Sequence, residues 1–520
     1  MPIAPTRNDC SRPPLLSAAE AVSLIPDGAT VAIAGAGGGV LEPDALILAL
    51  SERFRRESHP RDLVVVHSMG PGDKASRGMS LLANPRLIRK LIGGHFGNSP
   101  AMGDLIRRNE IEAYNLPLGV LSQLFREAAA GRPGLLTKTG LGTFVDPRMG
   151  GSGLNQRSRE APVELVEVRG EEYLLYRAIP IDFALVRGSV ADPGGNVTFD
   201  DEPSYLDMLE TCMAAARGRG NRPGTALVQV KRLTSAPLHP KAVRIPSLLL
   251  GGIVHHPEQW QTHASEHDDV LAGNVRIADG DFAPMPMSWR KVIARRAAQF
   301  VKQGDVVNLG VGVADGVASI LQETGTLPLV TMTNEHGIVG GVTSRGMTFG
   351  ASMNFDSVLS MPNMIDLYQG GLLDVAFLGF GEVDQSGNVN VSVYGNQIVG
   401  SGGFIDITQN ARRLVFCGSF TASGLKVEFD NGAVVIAKEG RINKFVSQVE
   451  HVTFNGKMAA ARGQEVHIVT ERAVFALTEK GVELIEIAPG VDAIEHIQAH
   501  CGFPLPRLTA HPMPHSLFKE

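Results

Sequence analysis

The run Thr333-Asn334-Glu335-His336-Gly337-Ile338-Val339-Gly340-Gly341 sets one carboxylate between an apolar stretch and a glycine-rich turn. Leu329-Val330-Thr331-Met332, just before it, predicts a short buried strand. Ligands of open parallel sheets bind beyond the C-terminal ends of the strands, so Glu335 projects where substrates sit. Taken singly, such a glutamate is more often a solvated loop residue. The corresponding strand of the first half, Leu63-Val64-Val65-Val66, ends in His67-Ser68-Met69-Gly70 and has no carboxylate. That asymmetry places the chemistry in the second half.

Two glycine loops come next. Gly35-Ala36-Gly37-Gly38-Gly39 and Gly310-Val311-Gly312 each stand between a predicted strand and a predicted helix. Backbone N–H groups there can hold phosphate, or the loops can simply be tight turns. A dinucleotide fingerprint needs glycine at the sixth position, where the chain has Val40 and Asp315, and GK[ST] is absent from both loops. NAD binding and a P-loop are therefore not expected. His255, His256, His263 and His267 lie together in a polar stretch without a cysteine or a second spaced pair, so no metal site is expected. Arg53-Phe54-Arg55-Arg56 reads as the solvated face of a helix.

The elements that carry these residues occur twice. Ile181-Asp182-Phe183-Ala184-Leu185-Val186 leads to the turn Asp192-Pro193-Gly194-Gly195-Asn196. Leu373-Asp374-Val375-Ala376-Phe377-Leu378 leads, at the same internal spacing, to Asp384-Gln385-Ser386-Gly387-Asn388. Upstream, Asp27-Gly28 opens the strand Thr30 to Ala34, as Gln303-Gly304 opens Val306 to Leu309. The first half carries about 84 more residues between its two landmarks, so the chain reads as a duplicated domain with an insertion at about 71–179. Helices are predicted after the capping box Ser17-Ala18-Ala19-Glu20, after Asp44, after Ser288 and after Asp315. The expected organisation is a first half over 1–254, a linker over 255–287 and a second half over 288–520.

With 520 residues and 43% hydrophobic content, the chain can bury large cores. A net charge of −6 argues against a nucleic-acid binder. The uncharged window Gln385–Ile405 is too rich in Gly, Asn and Ser for a membrane helix. Four widely spaced cysteines (Cys10, Cys212, Cys417, Cys501) and an N-terminus without a signal-peptide plan fit a reducing cytoplasm.

The strand–Glu–Gly turn, the duplicated Gly-Asn turn, Gly379-Phe380-Gly381-Glu382-Val383-Asp384 and Gly400-Ser401-Gly402-Gly403-Phe404-Ile405-Asp406 together resemble family I coenzyme A transferases. Gly140-Leu141-Gly142-Thr143-Phe144-Val145-Asp146-Pro147-Arg148 and Phe349-Gly350-Ala351-Ser352 add to the likeness. It is strongest to the single-chain propionate (short-chain acyl) type, whose halves correspond to the α and β subunits of two-chain relatives. The resemblance implies two tandem, duplicated open-sheet α/β domains of the CoA-transferase (NagB/RpiA-like) type. It also implies CoA transfer between a short-chain acyl-CoA and a carboxylic acid, with Glu335 as the nucleophile that becomes a glutamyl-CoA thioester. Gly381 is expected to donate its N–H to an oxyanion. Gly37, Gly38, Gly310, Gly312, Gly402 and Gly403 are expected to contact CoA. No permanent cofactor is implied, since coenzyme A is a substrate, and the partners are small molecules within a homodimer or homotetramer. Many relatives carry Ser-Glu-Asn-Gly where this chain has Asn334-Glu335-His336-Gly337, and Pro43-Asp44-Ala45 lacks the Asn of 3-oxoacid-using relatives. An acyl-CoA hydrolase using the same Glu and a ligand-sensing module are the rival readings.

Overall fold

The computed structural model describes residues 12–220, 222–278, 284–344, 346–395 and 397–519. In the first half the strands are β1 (Leu15–Leu16), β2 (Thr30–Ile33), β3 (Leu63–His67), β4 (Ile88–Gly93), β5 (Glu112–Asn115), β6 (Phe183–Ala191), β7 (Thr225–Leu233) and β8 (Leu250–His255). They form one sheet in the order β1-β8-β7-β6-β2-β3-β4-β5, parallel throughout, with Val197–Thr198 antiparallel to β6. Both faces are covered, which is why β2 and β6 are buried along their whole length, including Arg187 and Ser189 of β6. Part of the segment read as an insertion therefore extends the sheet through β4 and β5. Residues 134–177 add a separate three-stranded antiparallel sheet.

The second half repeats the plan with β9 (Val306–Leu309), β10 (Thr331–Thr333), β11 (Ile338–Val339), β12 (Ser357–Val358), β13 (Val375–Leu378), β14 (Arg413–Cys417), β15 (Glu465–Val469), β16 (Ala473–Thr478), β17 (Gly481–Ile487) and β18 (His511–Pro512). Their order is β12-β11-β10-β9-β13-β14-β15-β16-β17-β18, and the block from β10 to β15 is parallel. The duplication extends to single hydrogen bonds. Asp182 accepts from the Thr30 amide at 2.8 Å, and Asp374 accepts from the Val306 amide at 2.9 Å. Both Gly-Asn turns need their glycines, Gly195 at φ +85° and Gly387 at φ +75°. In each, an aspartate side chain (Asp192, Asp384) accepts the Asn196 or Asn388 amide.

The helices used below are α1 (Ala18–Ser23), α2 (Asp44–Glu57), α3 (Pro100–Arg107), α4 (Leu118–Ala129), α5 (Met208–Arg217), α6 (Trp289–Ala298), α7 (Gly316–Glu323), α8 (Met361–Gln369) and α9 (Phe404–Thr408). Ser17 and Glu20 form the expected capping box of α1, and Ser288 caps α6. One expected strand shifts. Pro328 holds Leu327–Leu329 in a 3₁₀ turn, so pairing begins only at Thr331.

Residues 256–278 are docked on both halves. Gln259 and Gln261 donate to the carbonyls of Gly188 and Asp201, while the Ile277 amide donates to Asn354 Oδ1 and Arg276 pairs with Asp356. Each half buries a cluster confined to itself. One buried cluster joins Val66, Leu116 and Leu121 of the first half to Ile365, Phe404 and Phe416 of the second.

Candidate active site between the two halves

Glu335 follows β10, and the turn that carries it is fixed on both sides. The Asn334 amide donates to the Ile338 carbonyl, and Asn334 Oδ1 accepts the His336 amide at 3.1 Å. Gly337 sits at φ +102°, where a side chain would run into the Leu359 carbonyl. His336 is 2% exposed, its Nδ1 lies 3.0 Å from the Gly350 carbonyl, and any side chain at Gly350 would strike its ring. Its own carbonyl accepts the Ser204 hydroxyl of the first half at 2.7 Å. Burial pulls the His336 pKa down, so the imidazole is neutral beside the carboxylate. Asn334 and His336 are thus pinned inward, and Glu335 is half-buried, with Oε2 shut from solvent and free of any described hydrogen-bond partner. Behind it, Asn308 donates to the Tyr368 hydroxyl, which donates to Thr333 Oγ1 at 2.9 Å.

The facing wall is Gly400-Ser401-Gly402-Gly403, stitched to the first half. The Gly402 amide donates to the Gly94 carbonyl at 2.8 Å, and the Leu118 amide donates to the Gly402 carbonyl at 2.9 Å. The Ser401 amide donates to Asn115 Oδ1, whose Nδ2 returns to the carbonyls of Gly93 and Gly94. The His95 ring lies against Gly402. A Cβ at Gly403 would stand 3.5 Å from Glu335 Cγ, and no described residue accepts the Gly403 N–H. Asp406, on α9, accepts the Gly119 amide at 2.9 Å and is fully buried. Burial raises its pKa to about 7, opposed by the Gly119 and Val120 amides and reinforced by Glu335.

The sequence profile of the family described as "Coenzyme A transferase" matches residues 15–256. The chain is 44% identical to the acetate CoA-transferase YdiF of Escherichia coli O157:H7, over 94% of this chain and 92% of that protein. It is 42% identical to the caffeate CoA-transferase of Acetobacterium woodii, over 94% of each. The chain belongs to the coenzyme A transferases. Its fold superposes on the crystal structure of E. coli O157:H7 YdiF in a thioester complex with CoA, with a TM-score of 0.92 and 41% identity, covering 100% of this chain and 98% of that one. Coenzyme A is a substrate in this family, and no permanent cofactor is indicated.

Within this CoA-transferase, two expectations are corrected. The Gly381 N–H already donates to the Asn390 carbonyl at 2.9 Å in the hairpin that follows β13, so it is not free to bind an oxyanion. Gly38 donates to the Gly72 carbonyl and accepts from the His263 amide, and a side chain at Gly37 would strike Asn98. That loop is sealed by residues 70–98 and 263, leaving Gly38 nothing for CoA. Gly310 donates to the Phe377 carbonyl and holds a turn, whereas Gly312 faces open space at φ +103°. The histidines have other partners, His263 with Glu42 and His267 with Asp269.

Sequence reasoning missed Asn115, Gly94 and His95 of the transferase. Their only signal was the Gly93-Gly94 pair after Leu91-Ile92, and its partner, Gly402, lies more than 300 residues away.

Proposed function

We propose that this enzyme transfers CoA between a short-chain acyl-CoA and a carboxylic acid by a ping-pong mechanism through Glu335. The observation that carries the reading is the buried Glu335 Oε2, which has no hydrogen-bond partner among the described residues and is walled by Gly403 of its own half. The carboxylate attacks the thioester carbonyl, the C–S bond breaks, and an acyl–glutamyl anhydride and CoA thiolate result. The thiolate then attacks the Glu335 carbonyl, releasing the first acid and leaving a glutamyl-CoA thioester. An incoming carboxylate reverses both steps, so no net proton transfer is needed. The Gly403 N–H takes the oxyanion role in place of Gly381, since Gly403 lies beside Glu335 and no described residue accepts its N–H. Gly312 remains a contact for the CoA arm.

Residues 1–254 and 288–520 are the counterparts of α- and β-type halves, joined through 255–287. The free cysteines Cys212, Cys417 and Cys501 suit the cytoplasm, and a homodimer or homotetramer is the assembly we assign.

Incubation with an acyl-CoA and no acceptor should leave a CoA adduct that hydroxylamine removes and that peptide mapping places on Glu335. Glu335→Gln should fold and form no adduct. An adduct on another residue, or unchanged transfer by Glu335→Gln, sinks the reading. CoA release that needs no carboxylate acceptor would make the enzyme a hydrolase instead.

A further inference from the structure

A cavity of about 480 Å³ opens at the N-terminal ends of β4 and β5. This is the opposite edge of the first sheet from the one where Gly94 and Asn115 brace the wall of the Glu335 cleft. Arg89 lines the cavity from β4, Glu112 from the start of β5 and Asn109 from the turn after α3, while Arg157 and Arg159 line it from a segment beyond the sheet.

That segment is built in place. β5 is the edge strand, and residues 152–160 cover its outer side. The Asn115 amide donates to the Ser152 carbonyl, and the Leu154 amide donates to the Ala113 carbonyl. Asn155 Nδ2 donates to the carbonyls of Ile106 and Ile111, both at 2.9 Å. Ser158 Oγ donates to the Ala113 carbonyl at 2.5 Å, and the Glu160 amide donates to the Tyr114 hydroxyl at 2.8 Å. Arg157 and Arg159 stand between these tethers. The Arg157 guanidinium is itself held, its Nε donating to the Asn109 carbonyl at 2.6 Å.

The charges in the cavity do not balance. Glu112 is the one carboxylate among the described residues lining it, and its oxygens are already in use. One accepts the Tyr114 hydroxyl at 2.6 Å, and the other is shared by Lys90 at 3.5 Å and Arg89 at 3.7 Å. Glu160, close by, is drawn to Lys90 at 2.5 Å. No described carboxylate pairs with Arg157 or Arg159. By contrast, Arg56 on the solvated face of α2 has Glu57 at 2.7 Å. In a chain of net charge −6, a preset group of like charges around one cavity is repulsive until an anion joins it.

We propose that this cavity receives a compact phosphate-bearing anion, held by Arg89, Arg157 and Arg159, at a site separate from the CoA cleft. The volume falls within the roughly 300–1,000 Å³ of small-molecule sites. A planar carboxylate is filled by one guanidinium fork, whereas a phosphoryl group presents oxygens in three directions and meets several forks at once. The tethered segment sets two of the three arginines before the ligand arrives, which lowers the ordering cost of binding.

The test is calorimetric titration of the whole enzyme with pyrophosphate, fructose 1,6-bisphosphate and citrate, without divalent cations. It is repeated on Arg157→Gln, Arg159→Gln, their double variant and the control Arg55→Gln/Arg56→Gln, with melting temperatures recorded for each. Pyrophosphate or the sugar bisphosphate should bind the native enzyme at one site, and the tighter of the two tells a free phosphate chain from a phosphate ester. Each single variant should weaken binding by about 10–100-fold, since one charge-assisted contact is lost, and the double variant should abolish it. Arg159→Lys should restore part of the affinity, because a point charge replaces the fork. The control should bind as the native enzyme does, and kcat and KM for acetyl-CoA should stay within about twofold throughout. Binding of neither phosphate compound, or binding that survives in the double variant, overturns the site. An equal loss in the control reduces it to general surface charge and overturns it as well. Citrate binding as tightly as pyrophosphate overturns the phosphate assignment. A KM for acetyl-CoA that rises as far as the anion affinity falls makes the cavity part of the CoA site and overturns its separateness.

Discussion

Gly403 and Gly381 are chemically identical residues with opposite accessibility. A Cβ at Gly403 would stand 3.5 Å from Glu335 Cγ and no described residue accepts the Gly403 N–H, while the Gly381 amide is spent inside a hairpin. Gly403 has φ −81°, within reach of proline, so Gly403→Pro removes the N–H with little demand on its own backbone angle. We expect turnover to fall about 100–1000-fold with melting retained, measured by steady-state transfer and calorimetry. Gly381→Ala should do the reverse. Its Cβ would stand 2.8 Å from the Asn390 carbonyl, so stability drops by about 1–3 kcal/mol while the folded fraction turns over normally. Normal rates in Gly403→Pro would return the oxyanion role to another donor. Glu335→Asp tests reach, because retraction by about one bond of a nucleophile placed to within 1 Å should cost about 100-fold.

At the scale of elements, α4 is an example of a helix completed by the other half of the chain. Pro117 at its N-cap supplies no side-chain acceptor, and Asp406 on α9 takes the Gly119 amide instead. The cap carries a pH signature. Burial lifts Asp406 to about 7, above the ~3.9 of an unfolded aspartate, and lifts Asp207, bound to the Ser68 hydroxyl at 2.6 Å, to about 7 as well. Between those values the folded chain binds more protons than the unfolded one. These groups therefore contribute most below pH ~3.9, and the contribution is lost as pH rises through 7. Asp406→Asn keeps an oxygen for the Gly119 amide and removes the titration. Melting temperature against pH from 5 to 8 should be flatter in this variant than in the native enzyme, the remaining slope coming from other buried groups such as Asp207, Glu202 and Glu210. Parallel curves would show that Asp406 stays ionised throughout.

At the scale of the molecule, the halves are duplicated in plan yet joined in substance. Besides the shared core, Gln123 of α4 donates to Asp366 of α8 at 2.6 Å, and Asn455 donates to the Gly142 carbonyl at 2.9 Å. Unfolding one half would expose apolar surface that the other covers, so the two should unfold together. The chain has two tryptophans, Trp260 in the segment docked on the first half and Trp289 opening α6 of the second. Denaturant curves of Trp260→Phe and Trp289→Phe, each reporting one tryptophan, should superimpose. Two separate midpoints would mean that the shared core is not cooperative.

The amino-acid sequence by itself determined the duplication, the parallel strands and the position of Glu335 at a strand end. Those are local properties, written in apolar runs, aspartate–amide turns and glycines at positive φ, and they recur because each half solves the same packing problem. Three-dimensional packing decided which glycine N–H groups stayed free. Gly381 and Gly38 look like ligand glycines in sequence and are used up by Asn390, Gly72 and His263, whereas Gly403 is left open. It also decided that residues 256–278 close the first-half loop, and that the cleft is finished by Asn115, Gly94 and Leu118 from across the chain. A hydrogen bond depends on which partners arrive from distant segments, and no local pattern of residue types records whether an amide has found one.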